Sequence, residues 1–158
     1  MNEARLKLLQ DTPILGGVRE DVLEFMLEDA VDISLSEGDF LFVEHAPGNS
    51  MYVLEQGRVV ILKIWNNRYY RLNSLNPGDC IGEMSLIDLG RRSASVLAVT
   101  DCKAVELTNT TLFKVYERDL EQFTLIQMNI SRELSRRLRT ANDVLFQERV
   151  RSDKITKH

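Results

Sequence analysis

Hydrophobic residues near the amino terminus recur at helical spacing. Val22, Phe25 and Met26 follow the i, i+3, i+4 rule of one helix face, and two acidic residues directly precede Val22. Acidic side chains in the first turn favour a helix because they complement its dipole. We therefore predict a helical element within residues 1–29.

From about Ala30 the hydrophobic period changes from that of a helix to that of a strand. Val31, Ile33 and Leu35 alternate with polar residues, which is the pattern of a half-buried strand. Turn signals then recur about every ten residues, at Glu37-Gly38-Asp39, Pro47-Gly48-Asn49, Asn66-Asn67 and Pro77-Gly78-Asp79. Short strands at this spacing predict an all-β sandwich or barrel over residues 30–108.

The carboxy-terminal part of the chain reads as helix again. Residues 91–158 contain neither glycine nor proline, and Thr108 precedes the apolar pair Leu112-Phe113 as a candidate N-cap. We predict a short helix from residue 109 and a second helix from near Asp119 to about Arg149, which would measure ~46 Å. The C-terminal helices thus occupy residues 109–149, within a domain of residues 1–149, and residues 150–158 are predicted to be a polar tail.

The overall composition is that of an ordinary globular domain. The 158 residues are 44% hydrophobic and carry a net charge of −4, so nothing in the total charge favours nucleic acid or an anionic membrane. No apolar run approaches the ~18 residues of a membrane helix. Cys80 and Cys102 form no CxxC pattern, and we interpret them as core residues of a cytoplasmic protein in a reducing compartment.

The densest group of candidate ligand-binding residues lies between Gly82 and Val96, which reads GEMSLIDLGRRSASV. This segment can supply backbone N–H groups at the start of a helical turn, together with a carboxylate, a guanidinium and hydroxyls. Arg92 offers a planar, permanently charged fork that suits two phosphate oxygens. Glu83 only accepts hydrogen bonds, so it suits a ribose hydroxyl that donates. These groups predict a small ligand with one phosphate charge and a ribose.

This segment resembles the phosphate-binding cassette of cyclic nucleotide-binding domains, the family of the bacterial catabolite activator protein and the protein kinase A regulatory subunit. The resemblance runs from about Leu9 to about Leu145. It includes the segments Gly57-Arg58-Val59 and Leu75-Asn76-Pro77-Gly78-Asp79. It implies a mainly β fold, an eight-stranded β-roll (jelly roll) with N-terminal helices and a long C-terminal helix.

The resemblance also implies roles for individual residues. Glu83 would bind the ribose hydroxyl and Arg92 the cyclic phosphate, while Ser95 would be the position whose hydroxyl helps to bind guanine in cGMP-selective members. The chain departs from the family pattern just before Arg92, so Arg91 remains a rival for the phosphate. We favour Arg92 because Ser93-Ala94 follows it in the family's register. The predicted ligand-binding residues are Gly82, Glu83, Met84, Ser85, Arg92, Ser93, Ala94, Ser95 and Asn142.

The long C-terminal helix carries one apolar stripe. Its members are Phe123, Ile126, Ile130, Leu134, Leu138, Ala141 and Leu145. An 11-residue repeat within the stripe predicts a nearly straight helix. In dimeric family members the corresponding helix pairs with its twin and reaches the base, so the resemblance implies a parallel homodimer with Ala141 and Asn142 near the base. The alternative is that the whole stripe packs on its own subunit. The basic residues nearby are interpreted as solvent-facing, with Arg137 the one candidate to lean toward the pocket.

These observations favour a regulatory binding protein over an enzyme. Two histidines, His45 and His158, are too few for the metal cluster of a jelly-roll oxygenase, and we expect no metal, no cofactor and no catalytic residues. The predicted function is a sensor of cAMP, less favourably of cGMP, that acts on an unknown effector protein or through rearrangement of its dimer. The alternative is a structural dimerisation module that does not bind nucleotide. Residues 150–158 are too few for a helix-turn-helix, so we expect no DNA-binding domain in this sequence.

Overall fold

Two four-stranded antiparallel sheets form the centre of the molecule. The computed structural model describes residues 2–156, with side chains up to residue 153. The strands are β1 (Val31–Leu35), β2 (Phe40–Phe42), β3 (Ser50–Gln56), β4 (Val59–Trp65), β5 (Arg68–Leu75), β6 (Cys80–Ile81), β7 (Ser95–Ala98) and β8 (Cys102–Thr108). One sheet has the order β1-β8-β3-β6 and the other β2-β7-β4-β5. The predicted eight-stranded jelly roll is therefore confirmed.

Helices flank the jelly roll at both ends of the chain and interrupt it once. They are α1 (Glu3–Gln10), α2 (Glu20–Glu28), α3 (Glu83–Asp88), α4 (Asn109–Arg118) and α5 (Leu120–Thr156). The Thr108 side chain accepts a hydrogen bond from the Thr111 N–H and caps α4 as predicted. The Asp119 carboxylate accepts from the Gln122 N–H at 3.1 Å and so caps the start of α5.

Strand β3 joins two separate hydrophobic clusters. Met51 and Val53 pack with the helices, in the cluster that also contains Ile126 and Ile130 of α5. The alternate residues Tyr52 and Leu54 face the other way and pack between the two sheets. Because successive side chains of a strand point to opposite faces, one central strand can be buried on both. The domain thus has three packed layers: the helices, the β1-β8-β3-β6 sheet and the β2-β7-β4-β5 sheet.

Helix α5 is longer than the sequence predicts. It spans 37 residues, roughly 55 Å at 1.5 Å per residue, and continues beyond Arg149 to Thr156. The segment predicted to be a polar tail is therefore helical through most of its length. No glycine or proline stops the helix, and an ion pair between Arg151 and Glu148 supports its exposed last turns.

Candidate ligand-binding site

Helix α3 begins where Gly82 turns the chain sharply. Gly82 has a φ of +77°, a left-handed conformation that glycine adopts without steric cost. A Cβ at this position would collide with Nη1 of Arg92 and lie 3.3 Å from the Phe42 ring. Glycine is therefore required here because the backbone passes close to the arginine. The first N–H groups of α3, beginning with Glu83, have no partner within the helix.

Arg92 is buried at the base of this turn. Its side chain is only 4% exposed. Nη1 donates to the carbonyl oxygens of Ser50 and Gly82, at 2.8 and 3.1 Å, and Nη2 donates to Oγ of Ser50 at 3.2 Å. The guanidinium also lies over the Phe42 ring, 4.3 Å from its centroid. These contacts use three of the five guanidinium N–H groups, and Nε is buried without a partner among the described residues.

Arg91, the rival candidate, points elsewhere. Its side chain is exposed, and Nη1 donates to the carbonyl oxygen of His45 at 2.8 Å. Although Arg91 and Arg92 are adjacent, Arg91 is exposed and Arg92 is buried. Only Arg92 faces the interior next to α3.

Glu83 connects the site to the long helix α5. The Glu83 carboxylate is 2% exposed and accepts a close hydrogen bond from Nη1 of Arg137. Nε of Arg137 also donates to Glu133 at 3.2 Å, one turn earlier on α5. Arg137 therefore joins a carboxylate of α3 to a carboxylate of α5. Among the basic residues of α5, Arg137 was the one candidate to lean toward the pocket, and it lines the cavity; its i, i+4 spacing from Glu133 supports this pairing.

A cavity of about 730 Å³ opens between α3, the inner face of β4-β5 and α5. Seven of the predicted residues line it: Gly82, Glu83, Met84, Ser85, Arg92, Ser93 and Ala94. Apolar residues missed by sequence analysis form much of the wall, among them Phe42, Ile61 and Leu72. Cavities that bind small ligands combine such walls with a few convergent polar groups.

Two of the predicted ligand contacts lie elsewhere. Ser95 is buried, and its Oγ accepts from the Glu44 N–H at 2.8 Å, so its hydroxyl is not part of the cavity wall. Asn142 is exposed and does not line the cavity, whereas its neighbours Thr140 and Ala141 do. A helix turns by about 100° per residue, so adjacent positions face different surroundings.

Cys80 also lines the cavity, but as an unreactive thiol. Burial, with a smaller contribution from the charge of Glu83, raises the pKa of Cys80 to about 12, and a protonated thiol is a poor nucleophile and metal ligand. Among residues 2–156, no cluster of three or more His, Cys, Asp or Glu side chains could hold a metal ion. None of the helices in that same range has the length and apolar character needed to cross a membrane.

Comparison with known proteins identifies the family. The family model of the cyclic nucleotide-binding domain matches residues 32–119, and the chain belongs to this family. It is 27% identical over 140 residues to the CRP-like cAMP-activated global transcriptional regulator of Mycobacterium tuberculosis, covering 88% of this chain and 61% of that regulator. The chain thus spans about three fifths of the length of that relative.

Solved structures agree with this assignment. The crystal structure of Thermus thermophilus catabolite activator protein superposes with a TM-score of 0.75 at 28% identity, over 85% of this chain and 62% of that one. The N-terminal domain of a transcriptional regulator from Streptomyces coelicolor A3(2) gives 0.72 at 28% identity, over 87% and 94% of the two chains.

Proposed function

We propose that this chain binds a cyclic mononucleotide, cAMP in preference to cGMP, and acts as a regulatory sensor without catalysis. The observation that carries the proposal is the convergence of Arg92, Glu83 and the start of α3 on one largely apolar cavity of about 730 Å³. A cyclic nucleotide needs a cation for its phosphate, an acceptor for its ribose hydroxyl and an apolar surface for its base. The cavity wall contains all three.

The phosphate is assigned to Arg92 and to the first turn of α3. Three of the guanidinium N–H groups already donate to protein oxygens, which leaves one N–H of Nη2 and the buried N–H of Nε without a protein acceptor. The Ser50 and Gly82 carbonyls can also be exchanged for phosphate oxygens, since charge-assisted hydrogen bonds are stronger than those to neutral carbonyls. The unpaired N–H groups at the start of α3 add donors on the adjacent side.

We assign the ribose to Glu83, and this contact couples ligand binding to helix α5. Glu83 pairs with Arg137, so a ribose hydroxyl that donates to the same carboxylate alters the ion pair that joins α3 to α5. Ligand binding would thereby change how firmly the middle of α5 is held to the jelly roll. A ligand can shift a conformational equilibrium only through such differential contacts.

Adenine is favoured over guanine by the position of Ser95. The hydroxyl that would help to bind guanine is bonded to the Glu44 N–H instead. The names of two relatives support the same preference: one is a "cAMP-activated" regulator and the other a "cyclic AMP receptor protein". Apolar Ala141 and Thr140 line the cavity from α5, beyond the charged residues Glu133, Arg136 and Arg137 of the same helix.

A parallel homodimer through α5 is part of the proposal, along a seam that differs from the predicted stripe. Ile126 and Ile130 of the stripe are buried in their own subunit, whereas Leu138 is 62% exposed. One set of exposed residues at heptad spacing runs along the middle of the helix: Thr124, Met128, Ser131, Ser135, Leu138, Asn142 and Leu145. Such a seven-residue repeat favours a left-handed pair of helices. Asn142 lies on this seam, so in a parallel pair Asn142 of the second copy would come to the rim of the cavity.

A module that dimerises without binding nucleotide is the second candidate. It is favoured by the extent to which both key side chains are already satisfied within the protein, because Arg92 is buried on Ser50 and Gly82 and Glu83 is paired with Arg137. Isothermal titration of the purified protein with cAMP and with cGMP separates the two candidates. Saturable binding of cAMP, tighter than that of cGMP, is the expected result. Absence of heat and of thermal stabilisation with either nucleotide at millimolar concentration would leave the dimerisation module.

A further inference from the structure

A hydrogen-bonded chain leads from Arg92 away from the cavity to Glu106 of β8. Nη2 of Arg92 donates to Oγ of Ser50 at 3.2 Å. That same hydroxyl donates to Oε1 of Glu106 at 2.7 Å. The hydroxyl of Tyr52 donates to the same carboxylate oxygen at 3.1 Å. Glu106 thus reaches the arginine through one intermediate side chain.

Strand register places these side chains on one face of the sheet. Ser50 and Tyr52 are two residues apart on β3, and Tyr52 lies directly opposite Glu106 on β8. Glu106 is therefore the cross-strand neighbour of Tyr52 and the diagonal neighbour of Ser50, within reach of both. Burial raises the pKa of Tyr52, so its phenol keeps the proton that it donates.

The hydroxyl of Ser50 has only one proton, and the direction of that proton decides whether Ser50 presents an acceptor or a donor to Arg92. With the proton given to Glu106, the oxygen presents lone pairs to the guanidinium. A hydroxyl polarised by a carboxylate is also a better acceptor, because neighbouring hydrogen bonds strengthen one another. No carboxylate of the described side chains forms an ion pair with Arg92, so this neutral relay is its connection to a negative charge.

We propose that Glu106 is a positioning residue for the phosphate-binding arginine: it fixes the Ser50 hydroxyl as an acceptor and thereby fixes the plane of the Arg92 guanidinium beside the cavity. Glu106 itself does not line the cavity. The inference rests on the proposed function, since it concerns how the same site recognises a phosphate. It adds a residue outside the cassette, 14 positions after Arg92 in the sequence.

Two substitutions at Glu106 separate positioning from charge. Glu106→Gln keeps an oxygen that can accept from Ser50, whereas Glu106→Ala removes the acceptor. We expect Glu106→Ala to weaken cAMP binding by roughly three- to tenfold, the range of one hydrogen bond, and Glu106→Gln to restore most of the loss. Tighter binding by both variants would overturn the proposal, because it would mean that Glu106 only repels the phosphate. Glu55→Ala is the matched control, because it removes another carboxylate of the same sheet, one that binds Arg5 of α1. It should bind cAMP as tightly as wild type.

The stereochemistry of the ligand at phosphorus gives a measurement that a loss of protein stability alone would leave unchanged. The Sp and Rp phosphorothioates of cAMP place sulfur on one or the other exocyclic position, and a guanidinium held in one plane distinguishes them. The Sp-to-Rp affinity ratio should move toward unity in Glu106→Ala and stay near the wild-type value in Glu106→Gln and Glu55→Ala. An unchanged ratio in Glu106→Ala would contradict a positioning role even if overall affinity fell.

A measurement on ligand-free protein keeps this inference distinct from the proposed function. In arginine-labelled protein, the Arg92 guanidinium resonances, identified by their loss in Arg92→Lys, should show slow rotation about the Nε–Cζ bond in wild type and Glu106→Gln. Faster rotation is expected in Glu106→Ala and in Ser50→Ala. If wild type bound no cyclic nucleotide, the proposed function would fail while this result still decided the link from Glu106 to Arg92. Equal rotation rates in wild type and Glu106→Ala would refute that link.

Discussion

The two halves of helix α5 carry apolar residues at similar spacing and have opposite surroundings. In the proximal half, up to Leu134, Ile126 and Ile130 are almost completely buried in the core shared with β3. In the distal half, from Ser135 onward, every described side chain is exposed, including Leu138 and Leu145. The proximal half therefore belongs to the core of the domain, and the distal half presents apolar side chains such as Leu138 and Leu145 on its surface. Arg137, bound to Glu83, lies close to the junction between them.

The largest expected difference between the halves is in their contribution to stability. Ile126→Ala should lower the free energy of unfolding by about 2–5 kcal/mol, because it leaves a cavity in the core. Leu138→Ala, at a 62% exposed position, should change it by less than about 0.5 kcal/mol in the monomer. Denaturant unfolding at low protein concentration measures both. Equal losses would mean that the two halves are not distinct.

The distal half is expected to control association. Leu138→Asp would place a carboxylate in the proposed seam, where its desolvation is costly, and should convert dimers to monomers in analytical ultracentrifugation at tens of micromolar. Val144→Asp adds the same charge at an exposed position off the seam and should leave dimers intact. A wild-type monomer, with and without nucleotide, would rule out the dimer.

Hydrophobic periodicity predicted the fold because period is a property of the sequence itself. The change from helical to alternating spacing near Ala30 and the recurring turns correctly indicated an all-β sandwich or barrel between helices, and the family resemblance specified a jelly roll. The same spacing could not predict which protein surface covers each part of the α5 stripe, since burial by the same subunit or by a second copy requires the same apolar side chains. It also could not predict the end of α5, because no residue after Arg149 stops a helix.

For the candidate site too, most of the residues predicted from the sequence line the cavity and two do not. The resemblance favoured Arg92 over Arg91 by the register of one contiguous segment, and the structure places Arg92 and Glu83 of that segment at the cavity. Ser95, which the resemblance implied, does not line the cavity, and its hydroxyl accepts from the Glu44 N–H of a neighbouring loop. Glu106 was not found at all, because its relation to Arg92 depends on strand pairing between distant segments.

The junction of the two halves provides a smaller effect on ligand affinity. If Glu83 binds the ribose, 2′-deoxy-cAMP should bind wild type more weakly than cAMP by about 1.5–3 kcal/mol, the range of a hydrogen bond to a charged group. In Glu83→Ala the two ligands should differ little, since the contact is already lost. Titration of both ligands against both proteins completes the cycle. Independent, additive losses would assign the ribose elsewhere.

The smallest expected effect is at the start of the proximal half. Asp119 accepts from the Gln122 N–H and from Arg19, and these contacts hold its pKa below the usual value. A carboxylate with a lowered pKa contributes stability at pH values above its unfolded pKa, near 4, and that contribution disappears as pH falls through the folded pKa. Asp119→Asn should therefore reduce the loss of stability between about pH 5 and pH 2. Identical acid unfolding curves for variant and wild type would exclude this role.

The most direct test of the account is the affinity of cAMP for Arg92→Ala and Arg91→Ala, measured side by side by isothermal titration. Loss of the guanidinium would leave a desolvated phosphate without its charged partner, at about 2–5 kcal/mol. Arg92→Ala should thus bind at least about tenfold more weakly. Arg91→Ala, at an exposed position, should bind as wild type. Thermal unfolding of both variants without ligand shows whether each is folded, and Arg92→Lys, which keeps the charge without the fork, should also bind weakly. Wild-type affinity in Arg92→Ala would contradict the proposed site.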